Sequence, residues 1–135
     1  MGVPYAEVIG DPIDHSLSPA IHKFWLEKLG LRGDYRAVAC TACELPAYLK
    51  RRFGDPFWRG CNVTAPLKAE AARLTADPIG ICAKIGATNA IFRSPFGSGV
   101  AANTDILGIA AALGETAPAK AVIIGAGGVA RAASE

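Results

Sequence analysis

The segment Asn-Val-Thr-Ala-Pro-Leu-Lys, residues 62–68, brings three groups that could do chemistry close together in the chain. Asn62 supplies an amide, Thr64 a hydroxyl and Lys68 an amine, while the neighbouring residues are mainly apolar. A lysine in such surroundings can give or take a proton, because burial disfavours its ammonium form and a nearby carboxylate favours it. Lys68 is therefore a candidate acid or base, the alternative being an exposed lysine at the start of a helix.

Other polar side chains lie at the ends of predicted strands. Ser16 and Ser18 follow the first strand, and Asn89 lies early in another. Asn103 and Asp105 follow the last strand of a predicted hairpin. In open α/β sheets, ligands bind beyond the carboxyl ends of the strands. Together with Thr64, these residues predict a pocket of hydroxyl, amide and carboxylate groups, which suits a small polyol that carries a carboxylate.

Each of these polar residues also has a purely structural alternative. Ser18 could be only the N-cap of the following helix, and Asp105 could cap the helix that it precedes. Asn89 or Asn103 could simply satisfy the hydrogen bonds of a turn. The residues themselves leave both alternatives open.

A glycine-rich segment begins at Gly125 and fits the pattern G-x-G-x-x-A, with Gly127 and Ala130 at the later positions. An apolar stretch at 120–125 predicts the strand that precedes such a loop, and the backbone N–H groups of the loop can approach a pyrophosphate. An ordinary glycine-rich turn is the alternative. The residue that selects NAD or NADP is expected about 20 positions further on, beyond Glu135. We therefore expect either a fragment or a glycine loop that no longer binds a nucleotide.

The hydrophobic periodicity alternates between strand and helix patterns along the chain. This alternation predicts an α/β fold, a three-layer sandwich with a mostly parallel sheet, followed by the first strand and glycine loop of a truncated Rossmann domain. The predicted strands are 5–10, 35–40, 60–64, 87–93, 100–104 and 120–125, and the predicted helices are 18–29, 44–53, 67–75 and 106–114.

The composition indicates a folded protein. Of the 135 residues, 51% are hydrophobic and 19% are charged, which allows one domain, or one domain and part of another, around a real core. The net charge of +2 comes from scattered residues and indicates neither a nucleic-acid nor a membrane partner. Neither a signal peptide nor an apolar run long enough to span a membrane is present, which predicts a cytoplasmic protein.

The four cysteines do not have the spacing of a metal site. Cys40 and Cys43 form one CxxC, but no second CxxC accompanies it, and Cys61 and Cys82 are isolated. We therefore predict buried thiols in a reducing compartment and no bound metal.

The sequence contains five short motifs in the same order as the shikimate dehydrogenase family, and it resembles that family in this respect. The resemblance runs through the whole chain without a large gap, and the set of motifs is far more specific than any one of them. The motifs are GDPIDHSLSPAIH (10–22), GCNVTAPLK (60–68), GATNA (86–90), ANTD (102–105) and GAGGVAR (125–131).

The resemblance implies a role for each candidate residue in binding the substrate. Ser16 and Ser18 would hydrogen-bond the carboxylate of shikimate. Thr64 and Asn89 would hold the ring hydroxyls together with Asp105. The ligand implied is thus a small molecule, in agreement with the polyol carboxylate that the residue types suggest.

The resemblance also implies the reaction, the reversible NADPH-dependent reduction of 3-dehydroshikimate to shikimate in aromatic amino-acid biosynthesis. Lys68 would be the catalytic acid and base, paired with Asp105. NADP would be the cofactor, and five consecutive residues would cradle its pyrophosphate. These residues are Gly125, Ala126, Gly127, Gly128 and Val129.

By this resemblance, residues 1–104 form the shikimate-binding catalytic domain, and residues 105–135 form a linker helix and the beginning of the NADP-binding domain. Two alternatives remain: a quinate/shikimate dehydrogenase that uses NAD, and a non-catalytic module that binds shikimate. The sequence leaves the oligomeric state open, a homodimer included.

Overall fold

The structure, a computed structural model, describes residues 2–114 and 120–135 and has one five-stranded sheet at its centre. The alternation of strands and helices predicted from the sequence is confirmed as far as the third strand. The strands are β1 (Tyr5–Gly10), β2 (Asp34–Ala39), β3 (Trp58–Val63), β4 (Ala90–Arg93) and β5 (Gly99–Ala102).

Six helices accompany the sheet in the described residues. None of the helices in these ranges is long and apolar enough to cross a membrane. The helices are α1 (Ser18–Lys28), α2 (Leu45–Phe53), α3 (Lys68–Leu74), α4 (Ile81–Ile85), α5 (Asp105–Leu113) and α6 (Gly128–Ala133).

The sheet is mixed, with the strand order β2-β1-β3-β4-β5. β1 pairs in parallel with β2 and β3, whereas β4 is antiparallel to both β3 and β5. The predicted hairpin is confirmed as β4–β5, closed by a bond of 2.8 Å from Ser94 N to Ser98 O. Because strands joined by so short a turn cannot run in parallel, the prediction of a mostly parallel sheet holds only for the first three strands.

One face of the sheet packs against α2 and α3 and holds the main core. Ile9 and Trp58 from the sheet meet Leu45 of α2 and Leu67 before α3, and all four are fully buried. Each such side chain contributes about 1.5–3 kcal/mol to the stability of the fold by leaving water. This core fixes β1 and β3 side by side, so their carboxyl ends lie next to each other.

A buried carboxylate lies within the same layer. Glu7 is fully buried, and its carboxylate accepts hydrogen bonds from Arg52 Nε (2.7 Å) and Nη2 (2.8 Å), Tyr48 Oη (2.6 Å) and Trp58 Nε1 (3.1 Å). A buried charge is tolerated when it is paired and its lone pairs are used, and both conditions are met here. The network links β1, α2 and β3.

The opposite face of the sheet is covered more lightly, by α1. No residue of α1 is fully buried, and its main ring contact is His22, which stacks on Tyr35 of β2 with the ring centroids 3.9 Å apart. A groove of about 510 Å³ remains between α1 and the sheet, with Leu26, Asn62 and Phe92 in its lining. α1 is therefore held by fewer buried side chains than α2.

Residues 120–125 do not form the predicted strand, so this prediction is wrong. Val122 and Ile124 are 88% and 96% exposed, and no strand among the described residues pairs with them. A strand is stabilised by the ladder it makes with a neighbour, which this segment lacks here. The first strand of a Rossmann domain is thus not formed. Residues 115–119, inside the second predicted domain, lie outside the described residues.

Candidate active site

Lys68 and Asp105 form an ion pair at the edge of the sheet, with Lys68 Nζ 2.7 Å from Asp105 Oδ2. Lys68 is the first residue of α3 and Asp105 the first of α5, and their side chains are only 18% and 21% exposed. α3 begins after a tight turn, in which Leu67 N donates to Thr64 O at 3.0 Å. Because both helices start at this edge, an amine and a carboxylate meet where a ligand can reach them.

Asn89 completes this group from the other side of the carboxylate. Its Nδ2 donates to Asp105 Oδ1 and to Thr104 Oγ1, both at 2.8 Å, and its Oδ1 accepts from Thr104 N at 2.9 Å. Asn89 directly precedes β4, whereas the sequence predicted it within the strand. The two oxygens of Asp105 are thus held by Lys68 and Asn89, and we call Lys68, Asn89 and Asp105 the Lys68 group.

Two buried residues position the Lys68 group. Asn103 was predicted as a polar residue at a strand end, with a role in a turn as the alternative, and Thr88 was not predicted. Asn103 is 7% exposed; its Oδ1 accepts from Asp105 N and its Nδ2 donates to Ala87 O, both at 3.0 Å. Thr88 is fully buried, and its backbone N–H donates to Lys68 O at 3.0 Å. The position of Thr88 between the motif residues Ala87 and Asn89 is the signal that could have identified it.

Thr64 lies at the same edge, after β3. Its backbone N–H donates to Ile9 O at 3.0 Å, and Asp11 N donates to Ala65 O at 3.4 Å, so the segments that leave β1 and β3 are joined. Gly10 permits this approach, because a Cβ at that position would lie 2.5 Å from Thr64 Cγ2. The Asp11–Pro12 and Ala65–Pro66 peptide bonds in these two segments are both cis.

Ser16 and Ser18 lie on the segment that follows β1 and contact each other. Ser18 N donates to Ser16 Oγ at 3.3 Å, and Ser16 N donates to Ile13 O at 3.0 Å. The alternative that Ser18 caps the helix is wrong, because α1 begins at Ser18 and Leu17 occupies the cap position. Neither serine bonds to the Lys68 group within the described residues.

Asp105 is likewise not the N-cap of its helix. Thr104 occupies the cap position of α5, and Asp105 is the first helical residue. Its carboxylate is directed to Lys68 and Asn89 and not to the helix backbone. The capping alternative for Asp105 is therefore wrong as well.

Residues 120–127 comprise the stretch predicted as a strand and the first glycines after it, and we call them the glycine segment. This segment lies across a cleft from Lys68. The cleft has a volume of about 650 Å³, and Thr64, Lys68, Gly125 and Gly127 are among the residues that line it. Gly128, at the start of α6, packs against the stem of the lysine, since a Cβ there would lie 3.2 Å from Lys68 Cδ. The predicted acid or base and the predicted nucleotide loop thus face one another.

α6 is anchored although the glycine segment before it is exposed. Ala132 is 3% exposed and packs with Ile85 of α4 and with Ala87, surrounded by partly buried isoleucines of α4 and α5. This contact holds the start of α6 next to Lys68. The position of the Gly128 backbone therefore depends on α4 and α5.

The cysteines take no part in this site. Cys40, Cys61 and Cys82 are buried, as predicted, whereas Cys43 is exposed, so for Cys43 the prediction is wrong. Burial raises the pKa of the Cys61 thiol to about 12, which keeps it protonated and unreactive at neutral pH. In residues 2–114 and 120–135, no cluster of three or more His, Cys, Asp or Glu side chains could hold a metal ion.

Most of the chain matches a known protein family. Residues 8–91 match the family described as the shikimate dehydrogenase substrate binding domain. The chain belongs to this family. The matched range contains Ser16, Ser18, Thr64, Lys68 and Asn89, and Asp105 follows it.

Individual members of the shikimate dehydrogenase family are similar to nearly the whole chain. A shikimate dehydrogenase (NADP+) of Sphingopyxis alaskensis is 51% identical over 131 residues, which are 96% of this chain and 48% of that protein. The crystal structure of the Thermus thermophilus shikimate 5-dehydrogenase with shikimate superposes with a TM-score of 0.85 at 37% identity, covering 96% of this chain and 50% of that one.

A second structure of the Thermus thermophilus enzyme, in complex with NADP(H) and shikimate, gives a TM-score of 0.84 at 37% identity and covers 96% of this chain and 49% of that chain. The chain therefore spans about half the length of the relatives that it matches. What these comparisons establish is the family and the fold of its substrate-binding domain.

Proposed function

We propose that the chain is the substrate-binding part of an NADP-dependent shikimate dehydrogenase, which reversibly reduces 3-dehydroshikimate to shikimate in aromatic amino-acid biosynthesis. The observation that carries the proposal is the contact of 2.7 Å between Lys68 Nζ and Asp105 Oδ2 in a cleft that the glycine segment also lines. The names of the similar proteins and the shikimate bound to one of them support it.

Lys68 is proposed to move the proton. Reduction of a ketone leaves an alkoxide, which takes up a proton from a group within hydrogen-bonding reach. The ammonium of Lys68 supplies that proton, and the amine takes it back when the alcohol is oxidised. Asp105 orients the lysine and stabilises its charged form, while Asn89 fixes the second carboxylate oxygen at 2.8 Å. Lys68 and Asp105 are thus the proposed catalytic residues.

The substrate is proposed to lie between the segments that follow β1 and β3. These strands are parallel neighbours, so their carboxyl ends lie at one edge of the sheet, where α/β proteins bind ligands. Ser16 and Ser18 would bind the carboxylate, and Thr64, Asn89 and Asp105 the ring hydroxyls. This arrangement places hydroxyl donors at the carboxylate end of the substrate and the Lys68 group at the other end.

The glycine segment and the start of α6 fit the pyrophosphate of NADP. A Cβ at Gly125 or Gly127 would have no neighbour within 4 Å, so the backbone there is open to a bound group. The cofactor supplies the hydride when bound. The residues proposed to hold it are Gly125, Ala126, Gly127, Gly128 and Val129, and the residues around them, 105–135, are proposed to be the linker helix and the beginning of the cofactor domain, after a catalytic domain at 1–104.

We also propose that the protein works in the cytoplasm. Its four cysteines are all free, and three of them are buried in the fold. Free thiols in this number are usual in a reducing compartment.

Calorimetry, together with an assay that follows the absorbance of the cofactor, tests the proposal. Shikimate is titrated into the protein, and NADPH or NADH oxidation is followed after 3-dehydroshikimate is added. Heat together with NADPH oxidation supports the enzyme, and faster oxidation of NADH favours the NAD-dependent alternative. Heat without oxidation of either cofactor, in a polypeptide that also carries the remainder of the cofactor domain, favours the non-catalytic binding module. A folded chain that gives no heat with shikimate contradicts the proposal.

A further inference from the structure

The first turn of α1 is held by a side chain that no motif role explains. His22 Nδ1 lies 2.8 Å from Ser18 O. Because a carbonyl oxygen only accepts hydrogen bonds, His22 Nδ1 must carry the proton and donate. The bond therefore ties His22 to the residue with which α1 begins.

The ring of His22 is itself fixed against the sheet. It stacks on the ring of Tyr35, with centroids 3.9 Å apart and planes inclined by only 10°. Tyr35 is 3% exposed, and its hydroxyl donates to Asn62 Oδ1 at 2.6 Å. Burial raises the pKa of the Tyr35 phenol, so the hydroxyl remains a donor at neutral pH. Bonded and stacked contacts thus run from Ser18 to Asn62, two residues before Thr64.

The ion pair between α1 and the sheet is a weaker contact. The helix has no fully buried residue, and its ion pair with the sheet, from Lys23 Nζ to Asp34 Oδ1 at 3.3 Å, joins side chains that are 57% and 32% exposed. Pairs as exposed as this contribute little to stability. The stacked and hydrogen-bonded His22 is therefore a more specific contact at the start of α1 than this ion pair.

The position of this turn determines the positions of both Ser16 and Ser18. Ser18 N donates to Ser16 Oγ at 3.3 Å, so a movement of Ser18 also displaces the hydroxyl of Ser16. His22 bonds to the backbone of Ser18 and leaves the Ser18 hydroxyl for a ligand.

We propose that His22 is a positioning residue: clamped on Tyr35, it holds the turn that presents Ser16 and Ser18, and so sets the affinity for a ligand carboxylate. This inference rests on the proposed function, because that function assigns the carboxylate to these serines. It adds a residue that acts through Ser18 and does not itself touch the ligand.

Two substitutions at His22 test its hydrogen bond to Ser18 O and its stacking on Tyr35 one at a time. His22→Phe keeps an aromatic ring over Tyr35 but removes the donor to Ser18 O. His22→Asn removes the ring, but its Nδ2 takes the place of the imidazole Nδ1 and can still donate. Each variant is titrated calorimetrically with shikimate and with its neutral methyl ester, and thermal unfolding shows whether α1 remains packed.

We expect His22→Phe to weaken shikimate binding roughly threefold to tenfold, which corresponds to the loss of one hydrogen bond. His22→Asn should lose less affinity than His22→Phe, and the weak binding of the methyl ester should be unchanged by either substitution. If His22→Phe does not fold, His22→Leu replaces it; because it removes both the ring and the donor, its loss of affinity should be at least as large.

Equal shikimate affinity in His22→Phe and the wild type would overturn the inference. So would an equal loss for shikimate and its ester, since that would indicate a general structural effect. If the wild type itself gives no heat with shikimate, the proposed function fails and the inference fails with it. Heat from the wild type without a loss in His22→Phe rejects the inference alone.

Discussion

The two walls of the cleft beside Lys68 are built in different ways. On one wall, the Lys68 group is held by buried neighbours such as Thr88 and Asn103, each bonded to the backbone of the site. On the other wall, the glycine segment has no paired strand among the described residues, and its Ile124 is 96% exposed. The first wall is formed by one sheet and its helices, whereas the second, as far as residues 2–114 and 120–135 show, is fixed where α6 packs on α4 and α5.

The two walls differ in which parts of the chain they need in order to form. The Lys68 wall depends on residues that are brought together by the strands and helices of the first 105 residues. A strand at 120–125 would depend on neighbouring strands, because an apolar sequence alone does not satisfy backbone N–H and C=O groups. The wall that carries the proposed proton transfer is therefore preorganised, and the wall proposed to hold the cofactor is not.

The largest expected effect concerns the chemistry of the preorganised wall. Lys68→Ala removes the proposed acid and base. In a polypeptide that also carries the remainder of the cofactor domain, we expect kcat for shikimate oxidation to fall by about 10²–10⁴, with a much smaller change in KM. Steady-state kinetics measures both values. The matched control is Lys50→Ala, an exposed lysine of α2 far from this contact in the chain. Equal turnover in Lys68→Ala and the wild type would reject Lys68 as the proton carrier.

The next effect concerns the stability beneath this wall. Glu7→Ala leaves the partly buried Arg52 and the buried donors of Tyr48 and Trp58 without their partner. The loss of one member of such a buried pair costs about 3–5 kcal/mol in the free energy of unfolding. Urea unfolding measures it. Glu70→Ala is the control, because the pair of Glu70 with Arg73 is exposed and should contribute less than about 1 kcal/mol. Similar losses in both variants would show that the Glu7 network contributes no more to the free energy of unfolding than an exposed ion pair does.

A smaller effect is expected where the two walls touch. In Gly128→Ala the new Cβ would lie 3.2 Å from Lys68 Cδ and from Ala87 Cβ, so the lysine stem must shift slightly. We expect shikimate affinity, measured by calorimetry without cofactor, to fall by roughly twofold to fivefold, since small displacements of a positioned group weaken its contacts. Gly108→Ala in α5 should bind as the wild type does, because a Cβ there has no neighbour within 4 Å.

An unchanged affinity in Gly128→Ala would mean that the glycine wall does not control the position of the lysine. The two walls would then be independent, and the closeness of Gly128 would have no consequence for the substrate.

The smallest effect concerns Asp34, which begins β2 and forms an ion pair with Lys23 of α1. The hydrogen bond from Arg36, aided by the Tyr35 N–H and by Lys23, holds the pKa of Asp34 below its usual 3.8. A lowered folded-state pKa stabilises the fold above the unfolded value, and the contribution is lost as the pH falls through the folded value. The urea midpoint should therefore drop below about pH 4, and Asp34→Asn should reduce that drop. An identical pH dependence in the variant would contradict this assignment.

Much of the preorganised wall can be predicted from the sequence. Lys68, Asn89 and Asp105 lie in short motifs at predicted element ends, and the rule that ligands bind at the carboxyl ends of strands brings them together. Asn103 was among the polar residues at strand ends, and Thr88 lies within a motif, but the positioning role of neither follows from the sequence. A buried hydroxyl or amide is recognised by the carbonyls around it, which only the fold defines.

The remaining differences have similar causes. α4, Ile81–Ile85, is too short for a helical period to be detected. The segment 120–125 has the composition of a strand, but composition does not say whether a partner strand is present. The hairpin β4–β5 was predicted correctly, because both of its strands and its turn are local.

The most direct test of the central claim is to locate bound shikimate on the protein. Amide chemical shifts are followed by NMR while shikimate is added to the wild type. We predict that the largest changes occur at Ser16, Ser18, Thr64, Lys68, Asn89 and Asp105. Changes confined to the groove on the other face of the sheet, at Leu26, Leu31 and Phe92, would contradict the claim that the Lys68 group forms the substrate site.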